Sequence, residues 1–269
     1  MTRVAAIQMA SGPNVQANLD EAGRLIEEAA AGGAELAALP ENFGLIGETE
    51  SVKLRHAEPD GSGPMQDFLA ATAARHGLWL IGGSVPLATP GGDRVRQSLL
   101  VYDATGQRVA RYDKMHLFDV TLEPSGETYR ESGTIEPGDT RVVVDTPAGC
   151  LGLTVCYDLR FPELFRHLVA EGATLFTVPS AFTRFTGSAH WEPLLRARAI
   201  ENLAYVIAPA QGGYHVNQRE TWGHSMIIDP WGTVLAEQNQ GAGVVFADID
   251  PQLQERTRAN FPSLQHRRL

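Results

Sequence analysis

Cysteine is scarce in this sequence, since only Cys150 and Cys156 occur among its 269 residues. Two thiols cannot supply a disulfide framework, and along one strand these two would lie too far apart to bond without a bend. Long apolar runs are also missing, because no stretch approaches the roughly 20 apolar residues of a membrane span. Residues 1–10 are followed too soon by polar residues to be a signal peptide. These absences predict a reduced, soluble protein of the cytoplasm.

Positive charge is likewise in the minority, because 22 Lys and Arg residues stand against 32 Asp and Glu residues, for a net charge of −10. Nucleic acids and anionic membranes are bound by basic faces, so neither is predicted as a partner. The sequence lacks HExxH, CxxC and GxxxxGKS/T spacings, and His116, His190 and His224 are widely separated. We therefore predict no metal site and no cofactor. A local basic pocket for an acidic small molecule stays compatible with this composition.

The sequence does contain 43% hydrophobic residues, enough for a large core, arranged in alternating strand and helix patterns. Residues 4–9 are predicted as a buried strand, and the apolar spacing over residues 15–30 predicts a helix that ends at Gly32 and Gly33. The DATG segment at residues 103–106 predicts a hairpin turn. Because hairpins interrupt the alternation, we expect an α/β fold with mixed sheets, built as one domain over residues 1–269.

Two other segments are predicted from their composition and spacing. Residues 113–140 are rich in Gly, Pro, Glu and Thr, which predicts a long polar loop, and loops of this length in compact domains are usually functional. Residues 190–203 are predicted as a helix with Leu195 and Ala199 on its inward side. Trp191, in the same segment, is predicted to lie in the core rather than in a pocket wall.

Cys156 lies where a predicted strand meets a predicted helix. Residues 151–155 are apolar and β-branched, and Pro162 suits the first turn of the helix that follows. A sharp strand-to-helix turn lifts its side chain out of the sheet, and amides at a helix start favour the thiolate, the nucleophilic form of cysteine. The alternative is a small buried apolar residue, which describes most free cysteines.

Glu41 and Lys114 occupy comparable positions, since each follows an apolar strand. The carboxyl ends of strands converge at one edge of a sheet, so we expect both side chains to meet Cys156 there. A carboxylate can take the thiol proton and later return it to a leaving amine. An ammonium can stabilise an oxyanion, together with the backbone N–H of Tyr157. Taken singly, each residue also fits a surface Glu–Lys pair near a core cysteine.

A family resemblance rests on residues 39–43 (LPENF), 112–119 (YDKMHLFD) and 154–163 (TVCYDLRFPE). In this order, they resemble the three signature blocks of the nitrilase, or carbon–nitrogen hydrolase, superfamily. The resemblance implies a four-layer α-β-β-α sandwich that pairs into a homodimer or a higher homo-oligomer. It also implies that Glu41 is the general base, Lys114 the oxyanion stabiliser and Cys156 the nucleophile that forms a thioester.

The same resemblance implies a second glutamate in the long segment before the cysteine strand, followed by a Pro-Gly pair. Glu131, ahead of the pair at residues 137–138, fits that place and would orient Lys114. Glu127 and Glu136 are nearby alternatives.

Further residues near these blocks are assigned to the pocket or to structural roles. The predicted pocket wall consists of Tyr157, Ala181, Phe182 and Thr183. The predicted buried polar network around the cysteine turn consists of Asp158, Arg160 and Glu163. The predicted helix-to-helix or subunit salt bridges involve Arg196, Arg198 and Glu201.

The segments after the cysteine block narrow the resemblance. They are residues 179–183 (PSAFT), 186–192 (TGSAHWE), 195–202 (LRARAIEN) and 223–232 (GHSMIIDPWG), and they resemble the Nit branch of small amidases. They are more similar to the group that hydrolyses deaminated glutathione than to the ω-amidases, which hydrolyse α-ketoglutaramate. The resemblance thus implies hydrolysis of a small amide, first of all deaminated glutathione, to 2-oxoglutarate and Cys-Gly.

Three alternatives stay open at this point: an ω-amidase, a nitrile or carbamoyl hydrolase with the same residues, and an inactive scaffold of the same fold. The intact set of Glu41, Lys114 and Cys156 argues against a scaffold, which has no need of three reactive groups. Because deaminated glutathione carries two carboxylates, we expect one or two arginine or backbone N–H donors in the pocket.

Overall fold

The computed structural model describes residues 1–123, 126–216 and 218–268. Its helices, in chain order, are α1 (Val15–Ala31), α2 (Val52–Arg55), α3 (Pro64–His76), α4 (Pro162–Ala170), α5 (Arg184–Asn202) and α6 (Pro251–Asn260). Its strands are β1 (Thr2–Gln8), β2 (Leu36–Ala38), β3 (Trp79–Ile81), β4 (Val85–Ala88), β5 (Val95–Tyr102), β6 (Arg108–Asp113), β7 (Asp119–Leu122), β8 (Glu127–Arg130), β9 (Val143–Thr146), β10 (Gly149–Leu153), β11 (Leu175–Thr177), β12 (Tyr205–Ala208), β13 (Gly212–Tyr214), β14 (Glu220–Trp222), β15 (Ser225–Ile228), β16 (Val234–Gln238) and β17 (Gly243–Ile249). Short 3₁₀ helices occur at Glu131–Gly133, Cys156–Arg160 and Ser263–His266.

These strands form two large mixed sheets. The first has seven strands in the order β17-β1-β2-β3-β5-β4, with β6 on the other side of β5. The second has six strands in the order β16-β15-β12-β11-β10-β9. Each sheet has a parallel centre, β1-β2-β3 or β10-β11-β12, flanked by antiparallel strands. The predicted α/β fold with mixed sheets is therefore confirmed.

The two sheets pack face to face with helices on their outer faces. Along β1, Val4 and Ala6 join the core shared with the second sheet, whereas Ala5 and Ile7 pack with residues of α1 and α3. This alternation follows from the period of two along a strand. Helices α4 and α5 contribute their apolar sides to the core of the second sheet, as Phe165 does. The layers thus run α-β-β-α, as the resemblance implied.

The segment 113–140 is not the single long loop that its composition predicted. It contains the antiparallel hairpin of β7 and β8, followed by the 3₁₀ turn Glu131–Gly133. Positions 124 and 125 lie outside the described residues. Two strands of four residues with one polar face carry too little apolar periodicity to be recognised in the sequence. The antiparallel pair of β13 and β14 was missed for the same reason.

Helix α5 begins at Arg184, six residues before the predicted start. Its cap is Thr183, whose hydroxyl oxygen accepts a hydrogen bond from the backbone N–H of Thr186 at 3.2 Å. The first two turns are mostly polar or exposed and Pro193 follows them, so the apolar spacing appears only later in the helix. Within the described parts of the chain, none of the helices combines the length and apolarity needed to cross a membrane.

Candidate active site

The three residues singled out for chemistry meet between the two sheets rather than at the edge of one. Glu41 follows β2 and Lys114 follows β6, and these strands run parallel within the first sheet. Cys156 follows β10, which belongs to the second sheet. The prediction of a single sheet edge was therefore wrong. Because the sheets face each other, strands of both can deliver side chains to the space between their ends.

A buried charge cluster occupies this space. The ammonium nitrogen of Lys114 lies 2.9 Å from Glu41 Oε1 and 2.8 and 2.9 Å from the two carboxylate oxygens of Glu131. The Lys114 side chain is only 1% exposed, so its charge depends on these partners for stabilisation. Glu131 Oε2 also accepts a hydrogen bond from the backbone N–H of Phe118 at 2.7 Å, which orients its carboxylate.

The charges within this cluster determine the protonation states of Lys114 and Glu41. Burial alone would lower the pKa of Lys114, but the charges of Glu131 and Glu41 raise it well above its usual value. Burial alone would raise the pKa of Glu41, but the charges of Lys114 and Lys53 bring it below 4.5. At neutral pH the ammonium of Lys114 is therefore protonated and Glu41 is ionised, which makes Glu41 an available proton acceptor.

Cys156 begins a 3₁₀ turn in a strained backbone conformation. Its φ is +50°, and its backbone N–H donates to the carbonyl of Pro179 at 2.9 Å. Burial and the charge of Glu41 raise the pKa of its thiol, against the opposing effects of Lys114 and of a hydrogen bond from the Ala181 backbone. The expectation that the helix start favours a thiolate was therefore wrong for the free protein. The thiol is protonated at rest, so attack by sulfur requires a base.

Asp158 holds the cysteine turn against the strand that carries Lys114. It is fully buried and accepts hydrogen bonds from the Tyr112 hydroxyl at 2.7 Å and the Val155 backbone N–H at 2.8 Å. It also contacts His116 through the backbone N–H at 3.1 Å and ring Nδ1 at 2.7 Å. Tyr112 and His116 flank Lys114 in sequence. Asp158 thus couples the position of Cys156 to that of Lys114.

Replacing Asp158 with alanine is expected to lower the free energy of unfolding by about 3 kcal/mol, because several buried donors lose their shared acceptor. Urea denaturation of the purified variant measures this loss. Glu163→Gln is the matched control, since Glu163 is exposed in the first turn of α4. Equal midpoints for the Asp158→Ala variant and the wild-type protein would contradict the assigned role.

The other two members of the predicted network lie elsewhere. Glu163 faces solvent, because the first turn of α4 turns that side away from the sheet. Arg160 lines the pocket, with its guanidinium 5.3 Å from the ring centre of Phe182 and 5.8 Å from that of Tyr157. Both residues are close to Cys156 in the sequence. Only the folded backbone decides that the Arg160 side chain points into the pocket and the Glu163 side chain points to solvent.

Arg196 and Arg198 form ion pairs within α5 itself, not with another helix as predicted. Arg196 pairs with Glu192 at 3.2 Å and Arg198 pairs with Glu201 at 2.8 Å, at the four- and three-residue spacings of a helix. Arg198 is also buried and donates to the carbonyl of Leu159 at 3.0 and 2.9 Å. It thereby anchors the far end of the cysteine turn to α5.

A pocket of about 500 Å³, counted with its open mouth, leads to Cys156. Its wall includes all four predicted residues, Tyr157, Ala181, Phe182 and Thr183. It also includes residues that the sequence reasoning missed, namely Asn42, Glu50, Phe118, Tyr129, Arg130, Thr186 and Arg219. Most of these lie in loops and short strands without periodic signals. Trp191 is fully buried behind the wall, with its ring centre 4.9 Å from that of Phe182.

The alternatives to Glu131 lie away from Lys114. Glu127 is exposed and accepts a hydrogen bond from the Tyr129 hydroxyl at 3.3 Å, whereas Glu136 pairs with Arg96. Cys150 and Cys156 are both free thiols. Among residues 1–123, 126–216 and 218–268, no three His, Cys, Asp or Glu side chains are grouped to hold a metal ion.

Comparison with known proteins agrees with this geometry. Residues 3–259 match the carbon–nitrogen hydrolase family. The deaminated glutathione amidase of Synechocystis sp. is 46% identical over 266 residues, which cover 98% of this chain and 97% of that protein. The structure of Caenorhabditis elegans NitFhit has a TM-score of 0.93 at 39% identity, over 99% of this chain and 65% of that one. Saccharomyces cerevisiae Nit3, a member of branch 10 of the nitrilase superfamily, has a TM-score of 0.89 at 30% identity, over 100% and 97% of the two chains.

The resemblance carried by the three sequence blocks is thereby confirmed. This chain belongs to the carbon–nitrogen hydrolase family and is a Nit-type amidase of the nitrilase superfamily.

Proposed function

We propose that this protein is a cytoplasmic, cofactor-free amidase that hydrolyses deaminated glutathione to 2-oxoglutarate and Cys-Gly. The observation that carries the proposal is that three side chains meet in one pocket: the Cys156 thiol, the buried carboxylate of Glu41 and the ammonium of Lys114, whose nitrogen lies 2.9 Å from Glu41 Oε1. These groups supply a nucleophile, a base and an oxyanion stabiliser. They lie in one domain over residues 1–269, which we propose to assemble as a homodimer or a higher homo-oligomer.

In the first half of the reaction, Glu41 accepts the thiol proton while the Cys156 sulfur attacks the amide carbonyl carbon. Lys114 and the backbone N–H of Tyr157 stabilise the oxyanion of the tetrahedral intermediate. The C–N bond then breaks, Glu41 gives its proton to the leaving nitrogen, and a thioester remains on Cys156. In this half of the reaction, Cys156 supplies the only proton that moves, and Glu41 carries it to the leaving nitrogen.

In the second half, Glu41 accepts a proton from water, whose oxygen attacks the thioester carbon. The C–S bond breaks, the sulfur of Cys156 regains a proton from Glu41, and the carboxylic acid leaves. Glu131 acts as a positioning residue throughout, because its two contacts keep Lys114 in place while Glu41 changes charge. Without these two contacts, the ammonium group of Lys114 would move each time Glu41 gains or loses a proton.

The chemistry of the pocket supports an acidic substrate. Four cationic residues line it, against the three glutamates Glu41, Glu50 and Glu131, although the chain as a whole has a net charge of −10; they are Lys114, Arg130, Arg160 and Arg219. Deaminated glutathione has a carboxylate at each end, and several curated relatives at 40–46% identity bear the name deaminated glutathione amidase. The second candidate is an ω-amidase acting on α-ketoglutaramate, which has the same acyl part and loses ammonia.

The deciding experiment offers the purified protein deaminated glutathione and α-ketoglutaramate side by side and follows the products by mass spectrometry. We expect a much higher kcat/KM for release of Cys-Gly than for release of ammonia. The opposite preference would identify an ω-amidase. Hydrolysis of neither substrate, with Cys156 still labelled by iodoacetamide, would overturn the substrate proposal and point to a nitrile or carbamoyl hydrolase.

A further inference from the structure

The pocket has two different charged walls. On one wall, Arg160 lies in the same 3₁₀ turn as Cys156 and packs against the rings of Tyr157 and Phe182. Its guanidinium is also 3.3 Å from His190 Nδ1. These contacts place Arg160 on a wall formed by the turn of Cys156 and by helix α5.

The other wall combines residues from three separate segments. Glu50, which lines the pocket, accepts a hydrogen bond at 2.6 Å from Lys53, a lysine buried behind it in the short helix α2. Arg219 comes from the connection between β13 and β14, and its guanidinium lies 5.3 Å from the ring centre of Tyr129 on the β7–β8 hairpin. Arg219 also donates to the backbone carbonyl of Ala181, which fixes one nitrogen of its guanidinium group.

Glu50, part of this second wall, lies on the same connection as Glu41, between β2 and α2, and both side chains line the pocket. Burial opposes the ionisation of Glu50, but the charges of Lys53 and Arg219 lower its pKa. The same Lys53 acts on Glu41. The charge of Lys53 therefore acts on both Glu41 and Glu50, and the charge of Arg219 acts on Glu50.

The chemistry of amide cleavage assigns a different part of the substrate to each of the two walls. Glu41 must protonate the leaving nitrogen, so that nitrogen faces Glu41 when the C–N bond breaks. The leaving group then extends along the wall of Glu50 and Arg219, and the acyl part extends the other way. A Cys-Gly leaving group presents a peptide N–H and a terminal carboxylate, for which an ionised glutamate and a guanidinium are suitable partners.

We propose that Arg219 binds the terminal carboxylate of the leaving dipeptide and so selects amides of a peptide over primary amides. Glu50, beside it, accepts a hydrogen bond from the peptide N–H of the same dipeptide. This inference rests on the proposed function, since it assigns the leaving-group half of the same substrate. The arginine belongs to binding rather than to proton transfer, and its removal leaves the charge cluster around Lys114 in place.

The test pairs Arg219→Gln with a change in the substrate. Wild-type enzyme and variant are assayed with deaminated glutathione and with the same compound amidated at its terminal glycine. For the wild-type enzyme, we expect amidation to lower kcat/KM by roughly 10- to 100-fold, the size typical of a lost charge-assisted hydrogen bond. For Arg219→Gln, we expect the acid and the amide to be hydrolysed at nearly equal rates.

A structural role of Arg219, acting through Ala181, predicts a different result. Both substrates would then lose activity equally in Arg219→Gln and the acid-to-amide ratio would keep its wild-type value, which would overturn the inference. Arg184→Gln is the matched control, because Arg184 lies on the neighbouring surface, pairs with Glu220 at 2.8 Å and does not line the pocket. Failure of the wild-type enzyme to hydrolyse deaminated glutathione would overturn the proposed function itself, so the two failures differ.

Discussion

Replacing Cys156 with alanine is expected to reduce kcat for amide hydrolysis by roughly 10⁴-fold or more, because no other described side chain in the pocket can form the thioester. The measurement is a steady-state assay on the preferred amide, with iodoacetamide labelling followed by mass spectrometry to locate the reactive thiol. We expect labelling at position 156 in the wild-type protein and none there in the variant.

The fold is expected to survive this change. Alanine removes one buried sulfur atom and keeps the Cβ that the strained φ of +50° already accommodates. The Asp158 network that holds the turn does not involve the sulfur. Cys150→Ala is the control, since Cys150 is a half-buried free thiol on β10 that does not line the pocket. Full activity in Cys156→Ala would refute the whole mechanism.

Replacing Glu41 with glutamine is expected to lower kcat by roughly 10³-fold or more, because the raised pKa of Cys156 makes sulfur attack dependent on a base. The amide keeps the shape of the side chain, and Lys114 retains both contacts with Glu131. Loss of the negative charge should also lower the pKa of Cys156, since Glu41 is one of the causes that raise it. The pH profile of iodoacetamide labelling is therefore expected to shift to lower pH while hydrolysis is lost.

Two comparisons make this prediction specific. Glu136→Gln should keep wild-type activity, because Glu136 pairs with Arg96 away from the pocket. Retention of more than about a tenth of the wild-type kcat in Glu41→Gln would exclude Glu41 as the essential base. A parallel loss of activity and of folded protein, seen by circular dichroism, would instead show a structural role.

The same variant has a pH signature in stability. The pKa of Glu41 is lowered from 4.5 in the folded protein, so its ionised form stabilises the fold fully above pH 4.5. This contribution is lost as the pH falls through the folded-state pKa. The difference in unfolding free energy between the wild-type protein and Glu41→Gln should therefore shrink as the pH is lowered from 4.5. Urea titrations at a series of pH values measure it, and a constant difference would contradict the assigned ionisation.

Local features of the sequence were sufficient to predict several parts of this protein. The amphipathic pattern over residues 15–30 and the hairpin signal at residues 103–106 predicted α1 and the turn between β5 and β6, because periodicity and turn chemistry act over a few neighbouring residues. Glu41, Lys114 and Cys156 could be chosen because the sequence predicts the end of a strand shortly before each of them, and β2, β6 and β10 end there. The order of three motifs along the chain then indicated the family.

Tertiary structure alone decided how these parts combine. Residues 41, 114 and 156 meet because strands from two facing sheets end in the same space, a relation that spacing along the chain does not encode. The raised pKa of Cys156 follows from burial and the charge of Glu41, which outweigh the opposing effects of Lys114 and of the Ala181 backbone.

The pocket walls were also decided by long-range packing. Glu131 differs from Glu127 and Glu136 only in where its turn directs the carboxylate, and Arg219 reaches the pocket from a hairpin without a sequence signal. Side-chain direction in loops depends on contacts with residues far away in the chain. For this protein, sequence by itself determined the family and the candidate reactive groups, and the tertiary fold decided the partners of these groups and the shape of the pocket that they line.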